Sequence, residues 1–242
     1  TDEGTRVAKI QRDKPKQLEI DGLVKKRVTS PHSLPVVVFE PEHMLLLSNE
    51  PERRRNYLDG ILCSITPTYK TNLAAYKRAL AQRNRLLKQE HFTADQLFVW
   101  DVQLTEKAGI IVNARMKLIE ILNSGCSKHY KAISNSSEEL KLSYFSKLEL
   151  SNYSDQLLSY LRQNSDIDRQ RGFTGAGPHR DDLSIELKSS DARITASRGE
   201  NRSIILSLKI AELELLKEQL GKPPILLLDD VFSELDGSRR RA

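Results

Sequence analysis

The chain has 242 residues, 38% of them hydrophobic and 29% charged, which is enough apolar side chain for a core and excludes a disordered or low-complexity chain. Its two cysteines, Cys63 and Cys126, share no metal-ligand spacing and argue against a disulfide framework or a zinc site, as suits a reducing cytoplasm. No apolar run reaches the ~20 residues that a membrane span needs, and a net charge of +5 admits an acidic polymer such as nucleic acid as partner.

From Val7 to Phe39 the signals are those of short strands: Val7, Ile10, Leu18 and Ile20, a turn at Asp21-Gly22, then the β-branched run Val36-Val37-Val38-Phe39. After the breaker Glu40-Pro41-Glu42 the period changes. Tyr57, Leu58, Ile61, Leu62 and Ile65 share one helical face, and Pro67 stops that helix. Tyr69, Leu73, Tyr76, Leu80 and Leu87 continue as a long amphipathic helix. Thr93 and Gln96 form a capping-box signal, and the stripe Leu97, Trp100, Leu104, Ala108, Ile111, Leu118 and Leu122 predicts a second helix that ends at Gly125. Two such helices on a short connection predict an antiparallel hairpin. Trp100, Tyr69 and Tyr76 sit at core spacing and read as packing.

Leu140, Leu142 and Tyr144 alternate as a strand does, and Leu157, Leu158 and Leu161 mark a short helix over residues 156–161. From Asp166 the chain becomes Arg-rich and Gly-rich. A strand is predicted at Leu183, Ile185 and Leu187, a loop at Ser189-Ser190-Asp191, and a helix from about Glu200 to Leu220, stopped by Gly221 and Pro223. The apolar run Ile225-Leu226-Leu227-Leu228 follows, and there are no internal repeats.

The strongest chemistry lies at that end. Ile225-Leu226-Leu227-Leu228-Asp229-Asp230 is an apolar strand with two carboxylates at its carboxyl end, where α/β sheets place their ligands. One carboxylate there holds Mg²⁺ and the next polarises an attacking water. Upstream, Ser197-Arg198-Gly199-Glu200 opens a helix, so free N–H groups, a hydroxyl and a glycine together suit a terminal phosphate. Downstream stands Ser233-Glu234-Leu235-Asp236. Alone, each stretch reads as an N-cap, a buried strand or a turn. In this order and spacing they resemble the signature motif, Walker B strand and D-loop of ABC-type ATPases.

Further landmarks make the resemblance specific. Val37-Val38-Phe39-Glu40-Pro41-Glu42, Glu52-Arg53-Arg54-Arg55-Asn56-Tyr57-Leu58-Asp59, Gln82-Arg83-Asn84, Trp100-Asp101 and Thr174-Gly175-Ala176-Gly177-Pro178-His179-Arg180-Asp181-Asp182 all resemble the RecF family, bacterial ABC-type ATPases related to the heads of Rad50 and SMC proteins. The resemblance implies an α/β fold: a truncated ABC-ATPase head with lobe I sheet and an inserted, mainly α-helical lobe II. Residues 1–40 would supply lobe I strands, 41–164 the helical lobe II with its long antiparallel helices, and 165–242 the signature helix, Walker B and D-loop.

The resemblance also assigns roles. Ser197, Arg198, Gly199 and Glu200 would face the terminal phosphate of ATP held by another subunit, and Asp236 would belong to the dimer-facing D-loop. Asp229 would bind Mg²⁺, and Asp230 would stand as the catalytic acid. Glu200 departs from the Gln usual at its position and would repel a nearby phosphate. Asp230 departs from the Glu common in ABC ATPases, and both departures predict slow turnover. The parent would dimerise on ATP, bind DNA at single-strand/double-strand junctions, and work with RecR and RecO to load recombinase.

A P-loop is absent: the only Gly-Lys pair, Gly221-Lys222, precedes Pro223 at a helix end. In the family that motif precedes the segment where this chain starts, so the chain reads as trimmed at both ends and is expected not to hydrolyse ATP appreciably. A non-catalytic DNA- or RecR-binding module is the competing reading. For DNA the candidates are Arg53, Arg54, Arg55, Arg83 and Arg85, with Arg78 and Lys88 beside them. Arg239-Arg240-Arg241 reads as a solvated charge run. The loop with Gly172, Gly175 and Gly177 is no dinucleotide fingerprint and reads chiefly as a hydrogen-bonded turn.

Overall fold

Prolines fix the start of the helical part. In the computed structural model, which describes residues 6–9, 17–20, 22–25, 35–47, 50–221 and 223–228, helix α1 (Pro51–Ile65) and helix α2 (Pro67–Leu87) both open on proline. Proline has no N–H to lose at a first helical turn, and its fixed φ suits that position. Thr66 ends α1 and caps α2 in one extended residue. Pro67, predicted as a stop, is therefore a stop and a start together.

Before these helices lie the antiparallel strands β1 (Arg6–Lys9), β2 (Gln17–Ile20) and β3 (Leu23–Lys25), paired in that order. The β2–β3 register sets Ile20 opposite Leu23, a two-residue turn in which Gly22 takes φ +79°. Strand β4 (Val36–Phe39) follows, with Val37 and Phe39 buried, and then a 3₁₀ turn over Pro41–Leu47.

Helix α3 (Ala94–Ser134) runs for 41 residues. Its predicted capping box is present: Gln96 N donates to Thr93 Oγ1 at 3.2 Å, and Thr93 N donates to Gln96 Oε1 at 3.0 Å. Its predicted end is not. The helix passes through Gly125 and stops at Asn135, which takes the left-handed conformation at φ 50°. Gly125 marks instead the direct packing of α3 on the later helix that carries Ala211, since a Cβ there would lie 3.5 Å from that of Ala211. Gly109 does similar work more tightly, its missing Cβ leaving room for the Ser154 side chain.

Strand β5 (Leu140–Phe145) pairs antiparallel with β6 (Asp182–Leu187), and β6 with the short β7 (Ser190–Asp191). Along β5 the α3 side chain of Asn123 takes the place of a neighbouring strand, accepting from Leu142 N and donating to Leu142 O, both at 2.7 Å. Between β5 and β6 lie α4 (Tyr153–Gln163) and α5 (Ser165–Arg171). The Arg-rich stretch after Asp166 is thus partly helical, a turn too short for periodicity to betray.

Helix α6 (Ala192–Thr195) leads into α7 (Arg198–Leu220), which Gly221 ends at φ +61°, and β8 (Ile225–Leu228) closes the described chain. Strand β8 runs parallel to β4, with Phe39 opposite Leu228. In this two-stranded sheet Ile225, Leu226 and Leu227 are exposed.

One apolar core joins α1, α2, α3, α4, β5, β6 and α7, with Leu104, Ile111, Val112, Leu157, Ile205 and Leu208 fully enclosed. At about 25 cal/mol per Å² of apolar surface, each such side chain contributes ~1.5–3 kcal/mol. Tyr69 and Tyr76 belong to this core, and Trp100 packs against it half-buried. No helix among the described residues is long and apolar enough to cross a membrane.

Candidate phosphate site and its arginine frame

Ser197 is the N-cap of α7, extended at φ −66° and ψ 165°. Its Oγ accepts from Glu200 N at 3.3 Å while its own N–H donates to Glu200 Oε2 at 2.8 Å, a complete capping box. The N–H groups of Arg198 and Gly199, first in the helix, have no intrahelical partner by construction and carry the positive end of a 23-residue helix dipole. Gly199 presents no Cβ beside them.

Glu200, expected to repel a phosphate, is restrained. Its Oε1 accepts from Lys188 Nζ at 2.9 Å, and that bond together with those from Ser197 lowers its pKa to about 2. Lys188 escaped the sequence reading. It lies twelve residues away on the β6–β7 turn, a separation that no local pattern connects.

Three buried arginines tie the helices to the loops between α5 and α7. Arg54, fully buried on α1, forms a bidentate pair with Asp182 at 2.7 and 2.8 Å and donates to Leu46 O at 3.0 Å. Asp182 also accepts from Arg193 at 3.2 Å, and Arg193 in turn grips Asp191, the N-cap of α6. A chain of charge therefore runs from α1 to the segment that delivers Ser197.

Arg83 is the second member. It donates to Asp101 at 2.6 Å, to Asp168 at 2.7 Å and to Thr174 Oγ1 at 2.9 Å, with no exposed surface. Asn84 fixes the same loop by accepting from Thr174 N at 2.8 Å, and Asp168 accepts from Gly175 N at 3.0 Å. Burial raises the pKa of Asp101 despite its arginine. Arg115 on α3 completes the frame, bidentate to Asp59 at 2.9 and 3.0 Å and donating to Pro178 O at 2.7 Å.

The glycine-rich loop between α5 and β6 is thus clamped and turned inward. Gly177 takes φ +129° with the Tyr76 hydroxyl 2.7 Å from where a Cβ would stand, so only glycine fits. His179 accepts from that hydroxyl through Nδ1 at 2.6 Å and donates from Nε2 to Thr174 O at 3.2 Å. Burial, chiefly, brings its pKa down to about 4, so the ring is neutral. Asp181 accepts from three hydroxyls, Tyr153 at 2.6 Å, Ser146 at 2.8 Å and Tyr144 at 2.9 Å, and its burial raises its pKa.

These bonds correct the DNA candidates. Arg54 and Arg83 are fully buried in ion pairs and present nothing to a phosphate backbone. Arg53 is half-exposed and paired with Glu50 at 2.6 Å, and Arg55 is half-buried and donates to Asp181 O at 3.0 Å. Arg85 is exposed, as expected. With Lys70, Lys77, Arg78 and Lys88 it makes an exposed stripe along α2, a helix with no acidic residue.

At the carboxyl end of β4 a cleft of about 370 Å³ is lined by Glu40, His43, Arg53, Lys209 and Glu212. Lys209 and Glu212 pair there at 3.0 Å, and desolvation raises the carboxyl pKa. Asp229, Asp230 and Asp236 lie outside the described residues, so the second expected motif is described only in its strand, Ile225–Leu228, and the third not at all.

No protein-family model matches the chain. It is 39% identical over 233 residues to the DNA replication and repair protein RecF of Symbiobacterium thermophilum, covering 93% of this chain and 62% of that protein. Two solved structures described as the recombination mediator protein RecF in the RecFOR pathway, one with ATPrS and one with ATP, superpose with TM-scores of 0.83 and 0.82. They are 32% and 33% identical, matching 97% and 94% of this chain and 66% and 63% of theirs. The chain therefore spans somewhat less than two thirds of the length of these relatives, and within that span both sequence and backbone follow theirs: it belongs to the RecF family.

Proposed function

We propose that this chain supplies the signature half of an ATP-dependent clamp in a DNA repair protein. The observation that carries the reading is the Ser197 cap: two free N–H groups and a glycine at the start of a long helix, with the carboxylate of Glu200 held by Lys188. Such a helix start accepts a terminal phosphate from a facing subunit, so that ATP joins two copies. Its relatives with ATP and ATPrS support a nucleotide as ligand.

In this reading Ser197 Oγ and the N–H groups of Arg198 and Gly199 hold the γ-phosphate, and the missing Cβ of Gly199 admits close approach. Asp229 would hold Mg²⁺, which supplies charge neutralisation of the phosphates, and Asp230 would orient water, with Asp236 at the subunit boundary. Among the described residues no three His, Cys, Asp or Glu stand together as a metal site, so the assignment to Asp229 rests on the motif. The division into residues 1–40, 41–164 and 165–242 belongs to the same reading, although the sheet joining β5 to β6 crosses its second boundary.

DNA would lie along the α2 stripe of Lys70, Lys77, Arg78, Arg85 and Lys88, which replaces the buried Arg54 and Arg83 of the first expectation. Partnership with RecR and RecO is supported by the pathway named for the relatives. The absence of acid from α2 also favours the second reading, a module that binds DNA without turnover of its own. The test is Asp229→Asn in the protein as its natural gene encodes it. Loss of Mg²⁺-dependent ATP turnover is expected, and full turnover would remove the Walker B assignment.

A further inference from the structure

The turn between β6 and β7 holds two residues in the left-handed region, and neither is glycine: Lys188 at φ 56° and Ser189 at φ 59°. Two positive φ values make the tight hairpin turn that ordinarily takes Asn-Gly. Non-glycine residues persist there only where the surroundings over-determine them. What this turn achieves is the delivery of Lys188 to the first turn of α7, with Nζ 2.9 Å from Glu200 Oε1.

We infer that Lys188 is a positioning residue of the Ser197–Gly199 phosphate site: it neutralises Glu200 and ties it back beside the cap, so that the helix start accepts a phosphate which Glu200 alone would repel. The inference rests on the reading of Ser197–Gly199 given above. Glu200 sits one residue from Gly199, well inside the ~8 Å over which charges act at physiological salt. A bare carboxylate there opposes the helix dipole, whereas a carboxylate paired at 2.9 Å leaves a dipole whose field fades faster. The other carboxylate oxygen stays on Ser197 N, so the pair is held in one geometry. Glu138 is the remaining acid whose charge acts on Lys188.

The experiment measures ATP-dependent self-association of the natural protein by sedimentation at fixed salt, over a range of ATP concentrations. Lys188→Met is expected to raise the ATP needed for half-association roughly tenfold, and Lys188→Arg to leave it unchanged. Lys188→Met combined with Glu200→Gln is expected to return it to within about threefold of the parent, since Gln keeps the capping box without the charge. Thermal midpoints of all four proteins should agree to within about 2 °C, because an exposed ion pair adds little stability. Wild-type association of Lys188→Met, or failure of the double variant to recover, would overturn the inference. Ser197→Arg separates the two levels of the claim. If it too associates as the parent does, the phosphate site itself is wrong; if it alone fails to associate, only the role of Lys188 falls.

Discussion

The guanidinium of Arg83 on α2 lies 2.7 Å from the carboxylate of Asp168 on α5, eighty-five residues along the chain, and neither side chain has more than 1% of its surface exposed. Together with Asp101 this is a cation between two buried anions, and removal of the cation leaves both uncompensated. Arg83→Met is therefore expected to cost about 3–5 kcal/mol. Urea unfolding at pH 7 checks it. A loss below about 1 kcal/mol, with DNA affinity reduced instead, would return Arg83 to the surface.

The same pattern shows what the sequence could and could not tell. Arg54 stands four residues before Leu58, Arg83 four before Leu87, and Arg115 four after Ile111, each on the apolar stripe of its helix. That spacing points all three inward, whereas charge led Arg54 and Arg83 to be expected on a DNA-binding surface and no expectation fell on Arg115. Position decided the outcome, because each finds a buried carboxylate across a distance that no sequence window spans. Capping was legible for the opposite reason: Thr93 with Gln96 and Ser197 with Glu200 are local, and both boxes form as spaced. Gly125 was misread because a glycine at a helix end and one in its interior look alike until a neighbouring helix is known.

Gly125→Ala separates those two roles. In the interior of α3, with ordinary contact to Ala211 awaiting the new methyl, the substitution should stabilise by about 0.5–1 kcal/mol. A destabilisation of similar size in thermal unfolding would mean a left-handed cap at this position.

His179 predicts a pH dependence. Its folded pKa of about 4 lies below the 6.5 of a free imidazole, so it binds fewer protons when folded. Its contribution is present above pH 6.5 and is lost as pH falls toward 4. The difference in unfolding free energy between parent and His179→Gln should shrink across that window by on the order of 2–3 kcal/mol. Asp181 and Asp101 act in the opposite sense, since burial raises them and their contribution declines as pH rises through their folded values. A constant difference from pH 7 to pH 4 would show that His179 is not buried neutral.

For the α2 stripe the expected result is a change of salt slope. Replacing Arg78 and Arg85 by Gln should weaken duplex DNA binding at all sequences and lower the slope of log affinity against log salt by about 1–2. Arg54→Gln should leave the slope of the folded fraction unaltered. Equal slopes for the parent and the stripe variant would place DNA elsewhere.

The central claim is that the start of α7 completes the nucleotide site of another copy. Its most direct test mixes two variants of the natural protein, Ser197→Ala and Asp230→Asn, each expected to retain about a tenth or less of the ATP turnover. In a mixed dimer one site carries both lesions and the other carries neither, so equal mixing should restore about a quarter of the parental turnover. Turnover that remains the average of the two separate variants would contradict a site shared between subunits.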